Sequence, residues 1–291
     1  MSSDIMPMTE PRPRRQRSQG SGAADAALLF DEPGPRGRIL IAIGSVVAVI
    51  GIAALAAAVL YRLDLAGQLD YPKWRYFLGQ SVVSQLLEAA GTTLTLGGVA
   101  AVLTFPLGIA LGWLRLLDNR PIKWLIGLWI DAMRAVPMLL LVYFFLLVVP
   151  RFATISDFWK LALPIVMCTS ATTAEVFRSG VRALDGGQTE AAWALGMSPS
   201  LTMRLILAPQ ALRLMLPTLI TQMVTIIKGT TLAYVLAYPE LMYRGSTMIG
   251  QAKIDAHLSV FFQTYVIIAV LYIIVNWSLG ALARYIESRT R

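Results

Sequence analysis

The sequence predicts an all-α membrane protein with six transmembrane helices. Of its 291 residues, 56% are hydrophobic and only 14% are charged, whereas an ordinary soluble domain is about 45–50% apolar and about 25% charged. The mean hydropathy of +0.63 agrees with a chain that is solvated mostly by lipid. A single cysteine and a single histidine exclude an intramolecular disulfide and a His-rich metal site, so we expect no bound metal.

Six apolar segments are candidates for membrane spans, because a bilayer core of about 30 Å needs about 20 apolar residues per helix. The first two carry no charge, and the third, fourth and fifth contain ionisable side chains. Proline removes a backbone hydrogen bond, so we expect kinks at Pro106, Pro137, Pro164 and Pro217. In chain order the predicted spans are 39–61, 89–114, 124–150, 161–176, 216–238 and 259–282.

The 38 residues before the first span include a stretch rich in Pro, Arg, Gly and Ser, a composition typical of disorder. A secretory signal has its apolar core of about 7–15 residues close to the start, whereas the first apolar run here is 23 residues long and begins at residue 39. We therefore predict a cytoplasmic, largely disordered Arg-rich tail. The predicted organisation is this tail (1–38), an extra N-terminal transmembrane helix (39–61), an external segment (62–88), a five-helix core (89–284) and a cytoplasmic tail (285–291).

The basic residues predict the orientation, since cytoplasmic loops carry an excess of Lys and Arg. With the N-terminus inside, cytoplasmic segments hold 16 basic residues and external segments hold seven. We therefore expect both termini in the cytoplasm of a multi-pass protein of the cell membrane. The net charge of +8 then reflects orientation and does not indicate nucleic-acid binding.

The longest cytoplasmic connection, residues 178–213, is predicted to be structured. A turn signal at 185–187 precedes a short run of good helix formers, and Gly196 supplies a left-handed stop. Ser198 as N-cap and Pro199 at the first position then start a second helix. Its apolar spacing predicts that it lies along the membrane surface or enters it.

The first of these short helices carries small side chains at Ala191 and Ala192, which could press closely against a groove in a partner. Composition alone leaves open a second interpretation, an interfacial helix that has no partner.

The run Glu-Ala-Ala-Trp-Ala-Leu-Gly at 190–196 resembles the EAA loop of permease subunits in bacterial ABC importers. The family pattern continues with Ile-x-Leu-Pro, and residues 206–209 read Ile-Leu-Ala-Pro. Arg-Ala-Val-Pro at 134–137 and Ala-Glu-Val-Phe-Arg-Ser-Gly at 174–180 are similar to motifs of polar amino-acid permeases. The resemblance implies the fold of a type I ABC importer permease with a cytoplasmic coupling helix.

The resemblance covers about residues 88–288, and further short matches lie at 209–213 and 239–241. One departure is at 228–231, where Lys-Gly-Thr-Thr stands in place of the family's Lys-Asp-Thr-Ser. The extra first span and the segment before it resemble the longer permease of actinobacterial glutamate importers.

The resemblance implies that a separate ATPase drives transport. The chain lacks the G-x-x-x-x-G-K-[ST] loop that cradles ATP phosphates, so we expect it to be non-catalytic and to bind no cofactor, with ATP and Mg on the partner ATPase. On this reading the alanines permit close contact, Glu190 makes a cap or a hydrogen bond across the surface, and Gly196 turns the chain. The predicted ATPase-coupling residues are Gln188, Glu190, Ala191, Ala192, Leu195, Gly196 and Met197.

Ionisable side chains within membrane spans are costly and are functional candidates by default. Asp131 and Arg134 are spaced i,i+3, as are Glu175 and Arg178. Each pair could be a local ion pair or part of the transport pathway.

Lys228 has no acidic residue within four positions and lies about halfway along the fifth span. It could bind a substrate carboxylate, satisfy backbone carbonyls or pair with Glu175 on another helix. Polar side chains in span four could line a pathway or pack helices. The candidate substrate-pathway residues are Lys228, Gln222, Thr225, Glu175, Thr172 and Arg134.

The leading functional prediction is a permease subunit of an ATP-driven importer for a polar amino acid, with glutamate as the first candidate. Glutamine or a basic amino acid is the alternative substrate, and an ATP-independent secondary transporter or a membrane scaffold is the alternative class. The resemblance implies as partners an ABC ATPase dimer, a second related permease and an extracytoplasmic substrate-binding protein.

Overall fold

The computed structural model describes residues 34–290, and their regular structure is helical. Most of the predicted tail (1–38) lies outside these residues. The chain divides into two units after Ala66. In the described part of the first unit, α1 (Pro35–Leu65) begins with proline in its first turn, where the missing N–H has no intrahelical partner. This helix contains the predicted span 39–61 and is four residues longer at each end.

The second unit contains the rest of the helices. In chain order they are α2 (Tyr71–Arg75), α3 (Gln80–Leu116), α4 (Arg120–Ala135), α5 (Met138–Leu147), α6 (Asp157–Arg182), α7 (Gly186–Ala194), α8 (Pro199–Thr202), α9 (Ala208–Gly229), α10 (Leu241–Asp255) and α11 (Phe261–Thr290). Three 3₁₀ turns lie at Tyr76–Leu78, Val149–Arg151 and Thr230–Leu236, and a π-helical turn lies at Met203–Leu207.

Two segments that were predicted to lie outside the membrane are partly helical. The external segment 62–88 includes the end of α1 and the first nine residues of α3, and the tail 285–291 is helical up to residue 290. Hydropathy locates the part of a helix that needs lipid, but backbone hydrogen bonding continues beyond that part until a cap ends it.

The core of the second unit is the contact of α3 with α6. An added Cβ on Gly108 would lie 2.5 Å from the Cβ of Thr173 and 2.9 Å from the carbonyl oxygen of Ser170. One turn further along α3, an added Cβ on Gly112 would lie 2.6 Å from the carbonyl oxygen of Ala174. Small residues at this spacing let helix backbones approach closely in membranes, so α3 lies directly on the backbone of α6.

Three hydroxyl-bearing residues of α6, Thr169, Ser170 and Thr173, are buried. Thr104 of α3 and Thr169 of α6 are hydrogen-bonded through their hydroxyl groups at 2.8 Å, and Thr173 donates its hydroxyl proton to the carbonyl oxygen of Thr169 at 2.8 Å. α4, α5 and α9 also pack on α6. This helix is therefore surrounded mainly by protein.

The expected count of six spans is not confirmed. Within residues 34–290, four helical segments are long and apolar enough to cross a membrane, and a bent pair of helices brings the number to five at most. The helix that contains predicted span 161–176, α6, is not among them, because Thr, Ser, Glu and Arg lower its hydropathy. The four segments are Arg36–Leu65, Gln80–Leu116, Pro199–Leu236 and Phe261–Leu282.

The third predicted span, 124–150, is two helices bent by 96° between α4 and α5. The break lies at Val136 and Pro137, which both have extended ψ angles. Proline disfavours the helical conformation of the residue before it, so the break occurs at the predicted Pro137. The other three prolines lie inside α3, α6 and α9.

The helix that restarts at Pro199 runs through α8, the π-helical turn and α9 as one apolar segment that extends to Leu236. The π-helical turn ends two residues before Pro209, where the missing N–H and the ring oppose a regular α-helical turn. Of the two predicted courses, the segment therefore enters the fifth span and does not remain on the surface.

Glu240 links the start of α10 to α11 through hydrogen bonds. Its side chain is fully buried, accepts a hydrogen bond from the amide of Tyr243 at 2.8 Å and accepts another from the hydroxyl of Tyr272 at 2.7 Å. The next amide, of Leu241, donates to the hydroxyl oxygen of Thr93 in α3 at 3.2 Å. Desolvation by burial raises the pKa of the Glu240 carboxyl, although the hydrogen bonds that the carboxyl accepts from Tyr243 and Tyr272 lower it.

We predict that Gly108→Ala destabilises the protein by about 1–3 kcal/mol, because the new methyl group must displace the backbone of α6. The measurement is unfolding in detergent followed by circular dichroism. Gly91→Ala on the same helix is the matched control, since an added Cβ there meets nothing within 4 Å. Equal loss of stability in both variants would contradict the close approach of α3 and α6.

Candidate coupling loop and substrate pathway

The predicted coupling loop begins with a capped helix. The Asp185 carboxylate accepts a hydrogen bond from the amide of Gly187 at 2.8 Å, so α7 starts at Gly186, within the turn predicted at 185–187. Asp is a favoured N-cap residue, and its charge also complements the positive end of the helix.

α7 ends as predicted, at a glycine. Gly196 has a φ of +75°, and its amide donates to the carbonyl oxygen of Trp193 at 2.9 Å. The amide of Met197 donates to the carbonyl oxygen of Ala192 at 3.1 Å. These two bonds form a Schellman motif. Since an added Cβ on Gly196 meets nothing within 4 Å, the backbone conformation and not crowding requires glycine there.

The coupling candidates divide into a free face and an inner face. The side chains of Gln188, Glu190, Ala191 and Leu195 are exposed, and Leu195 has 81% of its surface free. Ala192 is only 1% exposed, so its methyl group packs within the chain. Ala191 is therefore the alanine of this pair that remains available to a partner, and the expected contact by both alanines is revised.

The loop is joined to the membrane-spanning part at two points. The Gln210 side-chain amide donates to the side-chain oxygen of Gln188 at 3.4 Å, which links α9 to α7. The Ser198 hydroxyl accepts from the amide of Leu201 at 3.3 Å and confirms the predicted N-cap. The second connection is the chain itself, because α8 continues through the π-helical turn into α9.

Beside the loop lies a cluster of charges from three helices. Glu175 pairs with Arg178 on α6, as predicted, and also with Arg115 at the end of α3, at 2.9 Å. Arg115 also pairs with Asp131 of α4 at 3.1 Å. The side chains of Arg115, Glu175 and Arg178 are about 20% exposed, so these charges compensate one another in a mostly dry environment.

The predicted Asp131–Arg134 pair is marginal. Its nearest nitrogen–oxygen distance is 4.0 Å, and the Arg134 side chain is 44% exposed. Arg115 is the closer partner of Asp131, and Arg134 is therefore left with most of its hydrogen-bonding capacity unused.

Arg134, Thr172 and Glu175, three of the six pathway candidates, line one pocket of about 400 Å³ between α4, α6 and α9. Ser179 and Thr218 add hydroxyl groups to its wall. A guanidinium beside hydroxyl groups suits a ligand that carries a carboxylate.

The other three candidates, Gln222, Thr225 and Lys228, do not line this pocket but extend from it along α9. At 100° per residue they lie with Thr218 within about one third of the helix circumference. Thr218, Thr225 and Lys228 are exposed, and Gln222 is half-buried. A polar face that spans about 15 Å of an otherwise apolar helix cannot face lipid without cost.

Lys228 forms no ion pair or side-chain hydrogen bond within residues 34–290. The alternatives of a bond to backbone carbonyls and of a pair with Glu175 are therefore not realised, since Glu175 is engaged by two arginines. In the described chain, no group of three or more His, Cys, Asp or Glu side chains could hold a metal ion.

The sequence-based selection missed two residues of this region. Arg115 was not selected because its acidic partners are 16 and 60 positions away. The sequence did offer one signal for an ion pair at this position. Arg115 follows an uncharged span directly, and two other spans contain acidic residues that need a basic partner. Trp193 is 57% exposed on α7, and its size on a short surface helix could have indicated a contact.

Residues 104–291 match the family described as the inner-membrane component of binding-protein-dependent transport systems. A relative named "Probable glutamine ABC transporter permease protein GlnP", from Bacillus subtilis, is 33% identical over 198 residues, 68% of this chain and 89% of its own length. The glutamate transport system permease protein GluD of Corynebacterium glutamicum is 34% identical over 230 residues, 77% of this chain and 82% of its own length.

Among solved structures, an amino acid ABC transporter described as having histidines matches with a TM-score of 0.64 and 24% identity. The match covers 72% of this chain and 95% of that one. The methionine transporter MetNI matches with a TM-score of 0.61 and 15% identity, over 73% of this chain and 99% of that one. These similarities concern the fold.

We predict that Glu175→Gln lowers the free energy of unfolding by about 1.5–3 kcal/mol, because two arginines lose charge-assisted hydrogen bonds. Asp157→Asn is the matched control, since Asp157 and Lys160 form an i,i+3 pair on the same helix with Asp157 60% exposed. Exposed pairs contribute about 0–1 kcal/mol. Unfolding of both variants in detergent checks the prediction, and a larger loss in Asp157→Asn would contradict it.

Proposed function

Because the chain belongs to the family of inner-membrane components of binding-protein-dependent transport systems, we propose that it is a permease subunit of an ATP-driven importer for a polar amino acid. The observation that carries the proposal is the capped, exposed α7, whose successor α8 continues into the helix that bears Lys228. A loop that is capped at both ends and continuous with a polar helix can transmit the movement of a bound ATPase to the polar face of that helix.

In this mechanism an ATPase receives α7 in a surface groove. Ala191 permits close approach, and Leu195 and Trp193 supply apolar contact. Gly196 ends the helix and turns the chain away from it. ATP binding and hydrolysis, with Mg, take place on the ATPase and not on this chain. Closure of two ATPases draws two coupling loops together, and the continuous α8–α9 segment carries that displacement into the membrane as a rigid-body transition.

The substrate pathway runs along the polar face of α9. Lys228 binds the substrate carboxylate, Thr225 and Gln222 provide further polar contacts, and the pocket of Arg134, Thr172 and Glu175 receives the substrate nearer the coupling loop. The exposure of Lys228 in the single chain supports this assignment, because a lysine on a spanning helix needs water or a polar partner.

A second, related permease completes the pathway by covering the exposed face of α9, and an extracytoplasmic binding protein delivers the substrate. Two relatives from Bacillus subtilis, GlnP and GlnM, both have names that describe glutamine permease proteins, which supports a pair of unlike permeases. The excess of basic residues on the coupling-loop side supports cytoplasmic termini, with α6 as the sixth span inside the helical bundle.

Glutamate is the first candidate substrate, supported by the similarity to GluD over 77% of this chain. Glutamine is the alternative, since GlnP is similar to nearly the same degree. Uptake of labelled glutamate, glutamine, arginine and histidine by proteoliposomes that contain the reconstituted complex separates these cases. Uptake without ATP would overturn the proposed class in favour of a secondary transporter.

We predict that Gly196→Asp abolishes coupled transport while the protein remains in the membrane. Asp and Asn both tolerate a positive φ and have nearly the same size, so Gly196→Asn is the control for the added charge at the docking surface. The measurements are substrate uptake and co-purification of the ATPase. We expect Gly196→Asn to retain most of the uptake and most of the bound ATPase. Transport that persists in Gly196→Asp would refute the coupling role.

We predict that Lys228→Met raises the KM for transport by about 10–100-fold, the loss expected for a charge-assisted hydrogen bond to substrate. Lys228→Arg keeps the charge and retains a KM close to that of the wild type. Lys253→Met removes an exposed charge outside the spans and leaves KM unchanged. If Lys228→Met transports with normal KM, then Lys228 does not contact the substrate.

A further inference from the structure

A second polar pocket, of about 430 Å³, also borders the charge cluster, and none of the residues that line it line the pathway pocket. It is formed by the end of α3, residues 123–131 of α4 and the end of α6. Four basic side chains line it, and Asp131 is the only acidic one. The basic residues are Arg115, Lys123, Arg178 and Arg182.

Two of the four basic side chains in the pocket have no acidic partner among the described residues. Arg115 and Arg178 are neutralised by Asp131 and Glu175. Lys123 and Arg182 form no ion pair with an acidic residue among those described, and both are exposed. The pocket therefore has two cations available for an anion.

The outer wall of the pocket is apolar and faces outward. Trp124 is 70% exposed and Leu128 is 53% exposed, and both line the pocket. Leu125 and Trp129 extend the same exposed face of α4, at 60% and 42%. Because α4 is bent by 96° from α5, it cannot follow the same direction across the membrane as α5.

A basic helix end beside an exposed stripe of Trp and Leu is the arrangement of a helix that lies in the membrane interface. Basic pockets between helices at the cytoplasmic surface attract anionic headgroups. Arg182 ends α6 three residues before Asp185 begins the coupling loop, so the pocket is on the same side of the membrane as that loop.

We propose that this pocket binds the phosphodiester headgroup of an anionic phospholipid, with Lys123 and Arg182 contacting the phosphate and Trp124 and Leu128 contacting the acyl chains. Charge complementarity and the adjoining lipid-facing stripe favour a phospholipid over a soluble phosphate, which would have no use for the apolar wall.

The test uses the purified, detergent-solubilised complex of the full chain with its partner subunits. Binding of a fluorescent phosphatidylglycerol is titrated for the wild type and for Lys123→Gln/Arg182→Gln. We expect the double variant to bind at least about tenfold more weakly, because two cations near the headgroup are lost. Arg75→Gln/Lys253→Gln removes two exposed cations elsewhere and leaves the affinity unchanged.

Two further measurements identify the ligand. Fluorescent phosphatidylcholine, which has a phosphodiester but no net charge, binds more weakly than phosphatidylglycerol and equally to all variants. Inorganic phosphate at millimolar concentration does not displace phosphatidylglycerol. Displacement by inorganic phosphate would overturn the lipid assignment and indicate a soluble anion site.

Lys123→Arg/Arg182→Lys keeps both charges and binds phosphatidylglycerol as tightly as the wild type does. Weaker binding by the glutamine variant then reflects the lost charges and not a disturbed fold. Equal affinity of the wild type and the double glutamine variant would overturn the proposal. Because the readout is lipid binding, its failure is independent of transport and leaves the permease assignment intact.

Discussion

The contact between α3 and α6 is the constraint on which the rest of the second unit depends. Gly108 and Gly112 bring the two backbones together, and the hydrogen bond to Thr169 then gives the buried hydroxyl group of Thr104 a partner. α4, α5 and α9 pack against the helix that is held in this way. Because α6 also leads directly into the coupling loop, the same contact determines where that loop leaves the helical bundle.

The charge cluster links this packing to function. Arg115 compensates carboxylates of two different helices, Glu175 and Asp131, so neither acid needs a partner from the pathway side. Arg134 is thereby only weakly engaged and lines the pathway pocket, while Arg178 lines the second pocket. One set of compensated charges therefore contributes side chains to two different polar pockets.

Features that depend on near neighbours in the chain were predicted correctly. The caps at Gly196 and Ser198 form through hydrogen bonds between residues at most five positions apart, so the neighbouring residues in the sequence are enough to predict them. At 185–187 the sequence predicted a turn, and the structure shows that Asp185 also caps α7. The break at Pro137 follows from the proline ring in the same way. The role of Arg115 and the burial of Ala192 could not be predicted, because they depend on residues that are distant in sequence but close in space.

The sequence by itself determined a helical membrane protein, the helix stop and the N-cap within the loop between residues 178 and 213 and, through its motifs, the family. Apolar length, basic bias and capping residues are local quantities that can be read without coordinates. Only the tertiary structure decided that α6 is surrounded by helices although its hydropathy is too low for an isolated span. It also decided that Glu175 pairs with arginines and not with Lys228, and that the polar face of α9 is free. Those outcomes depend on which helix faces lie against each other, because burial changes the cost of every charge and hydroxyl group at the contact.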